Sequence, residues 1–221
     1  MQYRILDKNF FNRPAEKVAK ELLGKFLVRQ IPRRSASSPR LRQGFGGRAR
    51  KSARNEVAIM ITETEAYVGP YDLASHASRG RTARNEPMWG EAGSFYVYFT
   101  YGMHWMLNIV TGKSGYPAAV LIRGGIVYKY KDIVSPYKDL RCPYINGPAR
   151  LTKFLKIDKQ FNGLPANKRT GLWLAAPSSK EQASLRKIFG AGRLKIMRGP
   201  RIGVDYAGRW AKKPYNFKLK I

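Results

Sequence analysis

Apolar and polar positions change rhythm several times along the chain, and each change predicts an element. In RPAEKVAKELLG, Val18, Leu22 and Leu23, supported by Ala19, fall on one stripe at helical spacing. Arg13-Pro14 opens that helix and Gly24 closes it. KFLVRQI then alternates like a strand, and EVAIMITETEA predicts a buried strand ending near Glu63 to Glu65. SFYVYFTYGMHWMLNIVTG reads as a strand, a turn near Tyr101-Gly102 and a second strand. AAVLIRGGIVY is a further strand candidate, with Gly124-Gly125 either breaking it or lying within it. PARLTKFLKI predicts a short helix, GLWLA a strand, and RIGVDYAGRWAKKPYNFKLKI a turn followed by a basic terminal strand. Strands and short helices are scattered without a regular βαβ alternation, which predicts an α+β fold in one domain spanning residues 1–221.

One stretch fits neither period. PRRSASSPRLRQGFGGRARKSAR, at 32–54, carries eight basic residues, no acidic ones, and much Ser and Gly. Such a segment has little apolar surface with which to repay its ordering entropy, so it reads as a flexible basic insertion. Two uses stay open for it, a solvated loop and an auxiliary arm on nucleic-acid phosphates.

Charge extends that picture to the whole molecule. The 221 residues hold 42 Lys and Arg against 14 Asp and Glu, a formal net charge of +28. This excess predicts a polyanionic partner without distinguishing DNA from RNA or an anionic membrane. No apolar run reaches membrane-spanning length and MQYRILDKNF lacks a signal-peptide core, so the expectation is a cytoplasmic protein with no membrane partner. The lone Cys142 excludes an internal disulfide framework and a cysteine zinc cluster, and His76 and His104 are too few for a multi-histidine site. No metal and no cofactor are expected.

The candidate chemistry concentrates in ETEAYVGPYDLASHASRGRTARN, from Glu63. On an extended backbone Glu63 and Glu65 share a face, as partners in a structural ion pair or as an acid–base group. Asp72, in VGPYDLAS, reads first as a turn cap and second as another catalytic carboxylate. Phe95, Phe99 and Trp105 read as core, whereas Tyr98 and Tyr101 have the alternative of stacking on nucleic-acid bases. Asn108 is a satisfied core amide or a pocket wall that discriminates exocyclic groups. Arg79, Arg81, Arg84, Arg123 and Arg150 flank these segments, either as solvating surface charge or as planar guanidinium groups suited to phosphates.

Taken together, ETEAYVGPYDLASH at 63–76, RTARNEPMWGEAGSFYVYFTYGMHWMLNIVTG at 81–112, AAVLIR ending at Arg123, NGPARL at 146–151 and RIGVDYAGRWAKKPYNF at 201–217 resemble the alkyladenine (3-methyladenine) DNA glycosylases. RPAEKVAKELLGKFLVR is also similar, so nearly the whole chain except 32–54 is covered. The resemblance is to the monofunctional type, without a helix-hairpin-helix motif or a catalytic lysine. It implies a curved mixed, largely antiparallel sheet with short helices, similar to the formyltransferase C-terminal-like fold. It also implies a monomer acting on damaged double-stranded DNA in base excision repair.

By the same resemblance Glu65 is the general base and Arg123 positions the water and a nearby phosphate. Tyr67, His76 and Tyr98 wall the flipped base, with Asn108 beneath it. Tyr101 enters the duplex gap with Met103 behind it. The sequence departs from the family after Arg123, where GGIVY replaces a small residue, an apolar residue and Glu-Pro. A noncatalytic nucleic-acid-binding module, including a formyltransferase-like RNA-binding one, is the alternative.

Overall fold

The computed structural model describes residues 4–32, 54–130, 144–189 and 195–221. Its elements in chain order are β1 (Arg4–Ile5), α1 (Lys8–Phe11), α2 (Ala15–Leu22), β2 (Phe26–Pro32), β3 (Arg54–Tyr67), β4 (Phe95–Thr100), β5 (His104–Thr111), β6 (Ala118–Tyr130), β7 (Tyr144–Asn146), α3 (Pro148–Leu155), β8 (Leu172–Ala176), α4 (Ser179–Phe189), β9 (Ile196–Gly199) and β10 (Asn216–Leu219). Short 3-10 turns at His76–Arg79, Glu86–Trp89, Lys159–Phe161 and Asp205–Trp210 complete an α+β fold.

The strands form one curved sheet in the order β1-β8-β2-β3-β6-β5-β4, with β7 added to β6 and the β9–β10 pair added to β3. Every pairing between these named strands is antiparallel, so among the described residues there is no parallel pair of the kind a mixed sheet would require. Residues 33–53 and Cys142 lie outside the described residues. The ends of the basic insertion, Pro32 and Arg54, face each other across β2 and β3.

The helix and hairpin signals lead to the predicted elements. α2 buries Ala15, Val18, Ala19 and Leu22, and Gly24 ends it at φ 76°. That face packs on β3, where Thr64 Oγ1 donates to the Ala19 carbonyl at 2.8 Å. Thr100, Tyr101, Gly102 and Met103 turn β4 into β5, closed by Met103 N–H on the Thr100 carbonyl at 3.1 Å. Both central residues have positive φ, 52° at Tyr101 and 65° at Gly102, as tight hairpin turns favour.

Phe99 corrects its core assignment. It lies on β4, the last strand in the sheet order, is 42% exposed, and packs against Trp105 at 4.7 Å between ring centroids. The Gly124-Gly125 pair does not break its strand either, since β6 runs through it to Tyr130. A Cβ at Gly124 would stand 2.9 Å from the Ile145 carbonyl oxygen, and one at Gly125 would stand 2.3 Å from Ile59 Cγ2. The pair therefore permits β6 to lie close to both β3 and β7.

β3 is long because it changes partners. Residues Arg54 to Met60 pair with β2, and Glu63 to Glu65 pair with β10, while β6 runs along the opposite edge. At the changeover the β3–β6 register shifts on both sides of Glu63: Ile61 faces Gly125, Glu63 faces Gly124, and Thr64 faces Ile122. Thr62 and Arg123 are left over as bulge residues, and bulges of this kind redirect side chains.

Candidate active site

Alternation along the sheet builds a cavity. Tyr67 from β3, Tyr96, Tyr98 and Thr100 from β4, Met106 and Asn108 from β5, and Ala119, Leu121 and Arg123 from β6 all line a hollow of about 280 Å³. Each set is spaced by two residues, so one face of the sheet forms its floor. The intervening Phe95, Val97, Leu107, Ile109, Val120 and Ile122 belong to the main core on the other face. The hollow is closed by Ala74, Ser75 and His76 from one loop and by Ile202, Gly203, Val204 and Tyr206 from another.

Glu65 shares this face of β3 with Tyr67 and pairs with Leu121 of β6, adjoining the hollow without lining it. Its side chain is fully buried. Oε1 accepts hydrogen bonds from the Ile202 amide at 2.8 Å and Asn216 Nδ2 at 3.2 Å, and stands 3.4 Å from Arg123 Nη1. Oε2 accepts the Tyr67 hydroxyl at 3.0 Å. Burial, the Glu65 charge and the neighbouring Tyr98 hold the Tyr67 phenol well above its ordinary range, so it stays protonated and donates. Oε1 is thus surrounded by donors, whereas Oε2 has acceptor capacity left for a water molecule.

The aromatic walls support one another. His76 meets Tyr98 edge to face at 4.6 Å, and its Nδ1 lies 2.8 Å from the Tyr96 hydroxyl. Burial chiefly, then the charges of Arg84 and Arg79, lowers the imidazole to about 4 and leaves it neutral near pH 7. Burial raises the Tyr98 phenol to about 12. Asn108 faces Tyr96 across β4 and β5 and donates its Nδ2 to the Tyr96 carbonyl at 3.1 Å. A planar, polar-edged ring fits such a hollow, with aromatic faces to stack on and fixed groups to read its rim.

The remaining candidate residues divide. Tyr101 is 82% exposed and Met103 68% exposed at the hairpin tip, with Tyr101 also reaching the rim of the cavity. Arg79 and Arg84 line a neighbouring hollow that shares Ser75, His76 and Tyr206 with the first. Arg84 also donates Nη2 to the Phe99 carbonyl at 2.8 Å and stands 5.3 Å over the Tyr98 ring. Arg81 is paired with Glu86, and Arg150 is exposed on α3, outside both hollows.

The contacts of Asp72 are those of its first reading, a turn cap, and it does not line the hollow. It accepts the Val68 and Ala74 amides and forms a two-pronged ion pair with Arg201, with both side chains fully buried. Arg201 also donates to the Ala66 carbonyl at 2.9 Å and lies 4.8 Å over the Tyr67 ring. It thereby ties the loop bearing Ile202 to the end of β3. Sequence reasoning left Arg201, Ile202, Tyr96, Tyr206 and Asn216 without roles. RIGVDYAGRWAKKPYNF was the visible signal for four of them, but nothing in it stated which strand or carboxylate they would meet.

Fold and site define an α+β protein with a ring-sized, aromatic-walled cavity beside a buried carboxylate, in a strongly cationic chain. The family model for methylpurine-DNA glycosylase (MPG) matches residues 46–221. A relative from Methanocella arvoryzae is 40% identical over 96% of this chain and 91% of its own length. One from Myxococcus xanthus is 38% identical over 97% and 90%, and one from Borreliella afzelii 40% identical over 91% and 88%. All three carry the provisional name 3-methyladenine DNA glycosylase. The chain belongs to the methylpurine-DNA glycosylase family, a family of DNA-repair enzymes that remove bases.

Proposed function

We propose that this protein is a monofunctional glycosylase that turns an alkylated purine out of duplex DNA and hydrolyses its N-glycosidic bond. The observation that carries this reading is Glu65, set immediately beside an aromatic cavity and touched by three residues that line it, Tyr67, Arg123 and Ile202. In the reaction a water oxygen bonds to the sugar C1′ as the bond to the base breaks. The bonding pair leaves with the purine, where alkylation at N3 or N7 has placed a positive charge that the pair neutralises. Glu65 takes the water proton at Oε2, and its negative charge opposes the positive character growing on the sugar.

Tyr67, His76 and Tyr98 hold the extruded ring, which stacks more strongly on aromatic faces when it is cationic. Asn108 lies under that ring and selects among exocyclic groups. Tyr101, supported by Met103, fills the gap left in the duplex. Arg79, Arg84 and Arg150 supply phosphate contacts, and Arg81 does so once released from Glu86. No lysine nucleophile is assigned, so the product is an abasic site and a free base without strand cleavage.

Glu65→Gln tests the reading. Single-turnover release of 3-methyladenine from duplex DNA is expected to fall by about 100-fold or more, with little change in duplex affinity. Equal release by wild type and variant would reject Glu65 as the base. Absence of release by the wild type itself would favour the noncatalytic nucleic-acid-binding reading.

A further inference from the structure

The glycosylase reading uses one of the two glutamates on β3. The other is equally built in. Arg123 Nε donates to Glu63 Oε1 at 3.1 Å, while the nearest Arg123 contact to Glu65 is 3.4 Å. Asn216, opposite Glu65 on β10, donates Nδ2 to Glu63 Oε1 at 2.9 Å and to Glu65 Oε1 at 3.2 Å. The two hydrogens of that amide therefore serve one carboxylate each. Both glutamates are buried, as is Asn216.

We propose that Glu63 and Asn216 are positioning residues that keep the charge of Glu65 available to the reacting sugar. Two carboxylates face one guanidinium, which is held more closely by Glu63. With Glu63 absorbing much of the Arg123 charge, the cluster keeps a net negative charge, carried on the carboxylate beside the cavity. Asn216, a neutral donor to both, holds the carboxylates together without cancelling either. An arginine paired with Glu65 alone would still orient water, but it would offset the negative charge that opposes the sugar cation.

The other groups around Glu65 do not supply that balance. Tyr67 donates as a neutral phenol, Tyr98 lies across the cavity as another neutral phenol, and Ile202 offers a backbone amide. Arg201 is engaged by Asp72. Lys218 stands 4.0 Å from Glu63 Oε2 and is 40% exposed, where solvent weakens its effect.

This inference rests on the glycosylase reading, and its test is made in variants that retain Glu65. Single-turnover base release is measured against pH for wild type, Glu63→Gln, Asn216→Asp and Asn216→Ser. Removing the Glu63 charge leaves Arg123 paired with Glu65 alone. The acid limb should move to lower pH and the plateau should fall by about tenfold, because that pairing offsets the negative charge that opposes the sugar cation. Asn216→Asp adds a third carboxylate and should move the limb the opposite way. Asn216→Ser, which adds no charge, should lower the plateau and leave the limb nearer that of wild type.

A purely structural role lowers activity through misfolding and gives no opposed displacement. Limbs that coincide in folded Glu63→Gln and Asn216→Asp overturn the proposal, as does movement of both in one direction. If Glu63→Gln does not fold, Asn216→Asp decides alone, its limb having to move upward. A wild type that releases no base defeats the glycosylase reading instead, so the two failures are told apart.

Discussion

The floor around Glu65 and the hairpin tip around Tyr101 are joined by the same sheet, yet they treat their polar and apolar groups in opposite ways. At the floor, Glu63, Glu65, Arg123 and Asn216 are mutually bonded, and the two glutamates and Asn216 are almost fully removed from solvent. At the tip, Tyr101 and Met103 present large apolar surfaces to solvent, and Tyr101 adopts a left-handed backbone that costs a side chain about 1–3 kcal/mol. The floor is complete before any ligand arrives. The difference separates residues whose loss should damage the fold and chemistry from residues whose loss should damage DNA engagement alone.

The largest expected effect comes from breaking the support of the floor at Arg201. Its guanidinium neutralises Asp72, bonds to the Ala66 carbonyl and holds the loop whose Ile202 amide reaches Glu65. Arg201→Met leaves Asp72 as a buried unpaired carboxylate, a change that costs roughly 3–5 kcal/mol. Urea denaturation should show a lowered midpoint with little change in slope. Replacing both partners, as Asp72→Asn with Arg201→Met, should recover part of the loss. A single variant as stable as wild type would remove Arg201 from the support of the site.

The tip should respond in the reverse sense. Tyr101→Asn places a residue that tolerates the left-handed conformation where a tyrosine is strained, so thermal stability should hold or rise slightly. Affinity for a duplex carrying an abasic analogue should fall by about tenfold, the equivalent of about 1.4 kcal/mol. Comparison with undamaged duplex isolates insertion from general charge attraction. Unchanged affinity for the abasic duplex would take Tyr101 out of the gap-filling role.

Much of this contrast was legible in the sequence, though unevenly. Period-two alternation across 94–112 and a Tyr-Gly pair at its centre lead to β4, β5 and the turn between them, because neighbours in sequence decide all three. α2 and its Gly24 stop are similarly local. The TETE alternation also leads correctly to two glutamates on one face. What joins those glutamates to Arg123 is the double register shift at Thr62 and Arg123, and what joins them to Asn216 is β3 exchanging β2 for β10. These depend on residues 58 to 153 positions away in the chain, and no local periodicity records them. Gly124-Gly125 was visible as a departure, but its reason lies in the close approach of Ile59 and Ile145. Phe99 misled because its spacing matches the core positions while its place at the end of an outer strand leaves it exposed.

His76 belongs to both halves of the comparison and gives its finest test. Its Nδ1 is tied to Tyr96 at 2.8 Å, as floor groups are, while two arginines of the rim, Arg84 and Arg79, act on its charge. An unfolded histidine titrates near pH 6.5, whereas the folded ring is lowered to about 4. Between those values the unfolded chain takes up a proton that the folded chain refuses. The contribution of the neutral ring to stability is therefore complete above about pH 6.5 and is lost as pH falls toward 4. Thermal midpoints of wild type and His76→Gln, measured from pH 7 downward, should converge across that window, because carboxylate effects common to both proteins cancel. The ring signals followed by NMR should titrate with a midpoint near 4. Arg84→Ala should raise that midpoint only modestly, because burial is the largest cause of the shift and the arginine charge a lesser one. A return to the ordinary histidine value in that variant would mean that the rim, rather than the buried wall, governs the ring.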